Sequence, residues 1–214
     1  MAAALTQQDH VMQHQVSSEE IAASLEFRHL STIAGIAVDL RYATANNFVG
    51  RDLYAPFDCA WLHREAAGAL ERVVAWLAVA RPGAAVLVLD ALRPQRVQQQ
   101  LWDALAGTDL QMYLADPERG SIHSFGMALD VTLVDAAGRE LDMGTGFDDL
   151  TQRSHPALEP LMLARGALTE AHVANRQLLR DAMFQAGFHG IGTEWWHYDC
   201  GQRDVVRRTF RRVL

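Results

Sequence analysis

The stretch GSIHSFGMALDVTLVD, residues 120–135, makes two demands on any fold that contains it. In its second half Leu129, Val131 and Leu133 alternate with Asp130, Thr132 and Val134 before the turn-like AAGRE. That is the period of a strand, with Asp130 on the face opposite the apolar residues. In its first half His123 stands seven residues before Asp130. On a helix that offset separates the two by about 10.5 Å of rise, and a straight strand would part them further. Donor atoms around one zinc ion, by contrast, lie only about 3.3 Å from each other. If His123 and Asp130 meet at an ion, the chain must fold back at 124–127, and Gly126 is the residue suited to the reversal.

The surrounding pattern is mixed α and β in one unit. From Leu62 to Ala80, Leu70, Val73, Val74 and Leu77 recur at helical spacing, and RPG at 81–83 supplies a stop. AAVLVLDAL reads as a buried strand, and RPQRVQQQLWDAL, with Pro94 in its first turn, as the helix after it, which puts Arg93 at a strand-to-helix corner. A late helix over NRQLLRDAMFQA ends at Gly187. Residues 1–24 lack a steady apolar period, which predicts a leader or a loosely docked segment ahead of a domain over 25–214.

Composition removes several classes of function. With 214 residues, half of them hydrophobic, the chain can bury a real core. A net charge of −7 makes nucleic acid an unsuitable partner, since phosphate neutralisation needs a basic face. The four arginines of RRTFRRVL read as a solvated terminal element rather than a binding patch. No run reaches the roughly 18 apolar residues of a membrane span, and MAAALTQQDHVMQHQ has neither the n-region nor the h-region of a secretory signal. The expectation is no membrane insertion and a cytoplasmic or periplasmic location. Two cysteines, Cys59 and Cys200, are compatible with one disulfide or two thiols.

A second chemistry-bearing stretch is GTEWWHYDC, residues 192–200, where Glu194 precedes His197 by three positions. On a regular strand these side chains would point to opposite faces, so both reach one ion only through a turn, a bulge or an indirect arrangement. Glu194 therefore suits a proton acceptor beside a metal-bound water better than a ligand. His123 and His197 with Asp130 form a two-histidine, one-carboxylate set of the kind that leaves zinc an open position. A solvated or core pair is the plainer reading of His-x6-Asp taken alone. Trp195 and Trp196 suit a core, and equally an apolar wall around a charged site.

Taken in order, DLRYATANNFVG, DALRPQR, SIHSFGMALDVTL, LDMGTGFDD, RSH and GTEWWHYD resemble the D-alanyl-D-alanine dipeptidases of the zinc peptidase group that includes the vancomycin-resistance dipeptidases. The likeness covers roughly residues 25–200. It implies a single α+β domain, a central antiparallel sheet flanked by helices, like the hedgehog and D,D-peptidase zinc fold. It also implies one Zn2+ per chain on His123, Asp130 and His197, with Glu194 as catalytic acid/base and Arg93 assisting at the scissile carbonyl. Without the likeness, Arg93 would read as a structural ion-pair partner. Tyr42, Ser121 and Asp148 fall on positions that line the family's substrate pocket. The implied substrate is a small D,D-dipeptide, with Asp148 and Tyr42 toward the ammonium and Ser121 toward the carboxylate.

Two positions depart from the vancomycin-resistance pattern. Those members commonly carry Arg at the place of Phe125 and a small residue at that of Met127, so a more apolar and bulkier rim is expected here. D,D-carboxypeptidases and peptidoglycan endopeptidases share the His-x6-Asp and distant His set, which leaves longer peptides as an alternative substrate class. A noncatalytic zinc-binding module is the third reading, against which stand Glu194 and Arg93, since binding alone needs no proton shuttle.

Overall fold

The computed structural model describes residues 15–214. Strands β1 (Gln15–Val16), β2 (Phe27–His29), β3 (Ile36–Val38) and β4 (Trp61–His63) precede helix α1 (Arg64–Ala80). Strand β5 (Ala85–Asp90), helix α2 (Gln95–Ala104) and strand β6 (Ala128–Val134) follow, then helices α3 (Glu159–Ala164) and α4 (Glu170–Gln185). The chain ends with β7 (Phe188–Gly190), β8 (His197–Cys200), helix α5 (Arg203–Thr209) and β9 (Arg212–Val213). Short 3-10 turns fill many of the connections.

Five strands form the main sheet in the order β3-β5-β6-β8-β7. It is antiparallel from β5 to β7, as expected, while the edge strand β3 runs parallel to β5. The parallel step follows from connectivity, because α1 lies between β3 and β5 and supplies the long crossover that parallel neighbours require. α1 begins at Arg64 rather than Leu62. Residues 61–63 pair with β2 instead, and the His63 ring accepts from the Glu65 amide at the helix start.

Period-2 alternation on β6 sorts its side chains as the sequence predicts. Leu129, Val131 and Leu133 enter the principal core with Leu70, Val73 and Leu77 of α1 and Leu179 and Met183 of α4. All are essentially buried, and each such side chain contributes on the order of 1.5–3 kcal/mol. Asp130 and Thr132 are equally buried but on the other side of the strand. A register irregularity between Val88 and Asp90 breaks the alternation of β5 and sets Asp90 beside Asp130, which in turn pairs with His197 of β8. Three neighbouring strands thus hold Asp90, Asp130 and His197 in one rung.

Of the N-terminal segment 1–24, residues 1–14 lie outside the described residues. β1 pairs with β9 in parallel, and Val16 and Ile21 are buried with Phe27, Leu92 and Val213. The terminal arginines are not simply solvated: Arg207 donates to the Gly120 carbonyl, Arg211 to Glu26 and Arg212 to the Pro117 carbonyl. Cys59 and Cys200 are both free thiols and sit in separate apolar clusters. Among the described residues, no helix is long and apolar enough to cross a membrane.

Candidate metal centre and cleft

The reversal demanded between His123 and Asp130 is present. Ile122–Phe125 form a 3-10 turn that ends at Gly126 in the left-handed region (φ 65°), whose amide donates to the His123 carbonyl at 2.9 Å. A Cβ at Gly126 would stand 2.7 Å from the His63 backbone nitrogen, so glycine is required both by φ and by this close approach. The chain then enters β6, and Asp130 reaches the same point as His123.

Three donor atoms converge there. His123 Nε2 lies 3.2 Å from His197 Nδ1 and 3.3 Å from Asp130 Oδ1, and His197 Nδ1 lies 3.0 Å from Asp130 Oδ1. These edges match the spacing of about 3.3 Å between ligands of a tetrahedral zinc with bonds of about 2.0–2.1 Å. The far ring nitrogens decide the tautomers. His123 Nδ1 is 2.8 Å from the Ala91 carbonyl, which can only accept, and His197 Nε2 is 2.9 Å from Asp199 Oδ1. With those nitrogens carrying hydrogens, two imidazole lone pairs and a carboxylate oxygen face one another in a buried space. That arrangement calls for a cation, and the donor set fits zinc.

The electrostatics agree. Burial alone would pull the His197 pKa down, but Asp199 and Asp130 outweigh it and hold the ring up at about 10, so without a metal Nδ1 carries a proton that a bound cation would displace. Burial would raise Asp130, and the two histidines instead hold it well below the usual carboxylate range. The site is thus built for positive charge between its ligands.

Glu194 is not on a strand. It precedes β8, in the irregular segment 191–196, and shares a cleft of about 240 Å³ with the three donors and Arg93. This volume is below the roughly 300–1,000 Å³ of pockets for drug-sized ligands. Burial, with Asp130 adding to it against His197 and Arg93, pushes the Glu194 pKa up to about 7. A carboxyl group poised near neutrality suits proton transfer in both directions.

Arg93 is buried and tightly held. Nε and Nη2 donate to Asp90 at 2.8 and 2.5 Å, Nη2 also to Asp130 at 3.1 Å, and Nη1 to Gln98 at 3.2 Å. Four of the five guanidinium N–H groups are committed, which leaves one on Nη1. The ring of Tyr42 lies 5.0 Å from the guanidinium carbon, and the Tyr54 hydroxyl donates to Asp90. The structural ion-pair reading of Arg93 and the cleft-facing one therefore hold together.

Tyr42, Ser121 and Asp148 all line the cleft. The Tyr42 hydroxyl donates to Asp148 Oδ1 at 3.0 Å, whereas Oδ2 is buried without a partner. Asp148 also has a φ of 60°, a strained value for a residue other than glycine. Burial first, then Asp130, raises its pKa well above the usual range.

The expectation of a rim made bulkier by Phe125 and Met127 is corrected. Both are buried in the principal core and neither lines the cleft. Met127 shares the parity of Leu129 and Val131, which turns it to the apolar face. The apolar side chains that line the cleft include instead Phe48, Met112, Tyr113, Leu114, Leu150 and Ile191. Trp196 is buried, edge-on to Phe147, and lines the cleft, so it serves core and wall at once, whereas Trp195 belongs to the core and donates from Nε1 to Thr145 at 2.8 Å.

Sequence reasoning missed the supporting layer of Asp90, Gln98 and Asp199. Asp199 had a readable signal, being two residues after His197 and hence on the same face of β8. Asp90 had none, because its position depends on the break in β5 register.

The family described as Peptidase M15, D-ala-D-ala dipeptidase, matches residues 23–213. A D-alanyl-D-alanine dipeptidase of Escherichia coli (strain K12) is 38% identical over 167 residues, which cover 78% of this chain and 80% of its own. Its counterpart from Synechocystis (strain ATCC 27184 / PCC 6803 / Kazusa) is 32% identical over 157 residues, 59% of this chain and 64% of its own. That from Enterococcus faecalis (strain ATCC 700802 / V583) is 31% identical over 183 residues, 77% and 85% respectively.

Proposed function

The chain belongs to the D-ala-D-ala dipeptidase family of M15 peptidases, and from that premise we propose that it is a zinc dipeptidase that hydrolyses D-alanyl-D-alanine to two D-alanines. The observation that carries the reading is the triangle of His123 Nε2, Asp130 Oδ1 and His197 Nδ1, with edges of 3.0–3.3 Å, opening on a cleft that also contains Glu194 and Arg93. His123, Asp130 and His197 would hold the ion. Bound there, zinc would lower the pKa of a water toward about 7 and act as a Lewis acid on the amide carbonyl.

Glu194 accepts the proton of the attacking water on its carboxylate and returns it to the leaving nitrogen, for which its pKa of about 7 is suited. As the carbonyl oxygen gains charge, the uncommitted Nη1–H of Arg93 donates to it. Deleting a donor of this kind typically costs about 2.7–4 kcal/mol of barrier lowering. Asp90, Gln98 and Asp130 fix the guanidinium beforehand, so little reorganisation is spent at the moment of reaction. At the substrate ends, Asp148 Oδ2 receives the ammonium, with Tyr42 holding Oδ1, and the Ser121 hydroxyl donates to the carboxylate.

Metal analysis with hydrolysis of D,D-, L,D- and L,L-dipeptides beside a pentapeptide ending in D-Ala-D-Ala tests this reading. The expected result is one zinc per chain and cleavage of the free D,D-dipeptide alone. Cleavage of the pentapeptide in preference would make the protein a D,D-carboxypeptidase, and a protein that binds no divalent metal would end the proposal.

A further inference from the structure

A zwitterionic dipeptide brings a carboxylate into a cleft already lined by the carboxyl groups of Asp130, Asp199 and Glu194. Unless a cation meets it, that carboxylate is repelled. Among the described residues, three arginines line the cleft: Arg93, Arg203 and Arg207. Arg93 has a single N–H left and faces the reacting centre. Arg203 is bound through Nε to Asp199 at 2.5 Å, where it supports the His197 ring, and its side chain is 47% exposed.

Arg207 differs in burial and in what anchors it. It stands one turn after Arg203 on α5, and its side chain is 15% exposed. Nε donates to the Gly120 carbonyl at 3.1 Å, which fixes the guanidinium next to Ser121. Its other protein contact is a long one, Nη1 to the exposed Asp204 at 3.5 Å, and Nη2 has no partner among the described residues. Ser121 in turn caps no helix end with its side chain. Arg207 and Ser121 thus both line the cleft and are linked through the Gly120 carbonyl, which is bonded to the Ser121 nitrogen.

We propose that Arg207 is the specificity-determining cation that binds the C-terminal carboxylate of the substrate, together with Ser121. This rests on the dipeptidase reading and deepens it. The anchoring bond to Gly120 ties the cation to the turn that bears His123, so the substrate end and the metal ligands share one frame. Charge-assisted contacts of this type set the expected effect: loss of Arg207 raises KM roughly 10- to 100-fold.

The test compares D-Ala-D-Ala with its C-terminal amide in the wild type and in Arg207→Gln and Arg207→Lys. The wild type is expected to favour the acid over the amide, and Arg207→Gln to raise KM for the acid alone and erase that preference, with kcat changed only a few-fold. Arg207→Lys should recover part of it. A structural defect would lower both substrates together, and an unchanged acid-to-amide ratio in Arg207→Gln overturns the proposal. Calorimetric binding of D-Ala-D-Ala to Glu194→Gln, with and without Arg207→Gln, gives a readout free of turnover. Equal affinities would also overturn the assignment. A wild type that cleaves neither substrate, while Glu194→Gln binds the dipeptide in an Arg207-dependent way, sinks the catalytic reading and keeps the binding one. Failure to bind at all sinks both.

Discussion

Asp199 accepts the Nε2 proton of His197 across 2.9 Å, and so orients the Nδ1 lone pair toward Asp130 and His123. Replacing Asp199 by Ala leaves all three donor residues in place but frees the ring and its tautomer. Zinc affinity should fall roughly 10- to 100-fold, measured by chelator competition, with activity recovered at high zinc. Unchanged affinity would show that the ring is held by packing alone.

Glu194→Gln separates metal from proton transfer. The variant should keep its zinc while kcat falls by about 10²- to 10⁴-fold. Full turnover would remove the acid/base assignment.

The same substitution should stabilise the metal-free protein. The Glu194 pKa is raised on folding, from the ordinary range to about 7, so the folded state holds this proton more tightly than the unfolded one. As pH rises from about 4.5 through 7 that preference is lost, and above 7 the buried carboxylate is a cost. At pH 8 the metal-free Glu194→Gln protein should be more stable by about 1–3 kcal/mol in denaturant melts, and the difference should vanish near pH 4.

If Glu194 is the base, it should set the acidic side of the wild-type pH profile. The base works as carboxylate, so kcat/KM should rise with pH, with a midpoint at or below about 7, since a divalent cation nearby favours the ionised form. A profile that stays flat as the pH falls to 4, with the metal still bound, would exclude Glu194 as the base.

Gly126→Ala places a Cβ 2.7 Å from the His63 backbone nitrogen at a φ of 65°. Neither backbone can yield cheaply. Stability should drop by about 1–3 kcal/mol, and zinc affinity should fall with it, because this turn sets His123 against Asp130.

Burial pushes the thiols of Cys59 and Cys200 up to about 12 and about 11. At pH 8 both should react slowly with a disulfide reagent and become fast together on unfolding. Prompt reaction of either in the folded protein would place that thiol outside its apolar cluster.

Much of this was legible in local pattern. The alternation from Leu129 to Leu133 announced a strand with Asp130 on the other face, and the seven-residue gap to His123 demanded the turn that Gly126 makes. The three-residue offset of Glu194 from His197 required an irregular segment, and β8 starts only at His197. What local pattern could not carry is pairing. The parallel edge of β3, the break that sets Asp90 beside Asp130, and the return of α5 to place Arg207 over the cleft all depend on contacts between distant segments. Phe125 and Met127 were misjudged for the same reason, since proximity to His123 in sequence says nothing about which side of the sheet a side chain takes.

The rung of Asp90, Asp130 and His197 couples accuracy of folding to accuracy of chemistry. Sliding β6 by a single residue against either neighbour would swing Asp130 into the hydrocarbon interior and turn Leu129 toward the polar cleft in its place. Mispaired chains are therefore penalised by a buried, unpaired carboxylate before they could ever bring the three donor groups together wrongly.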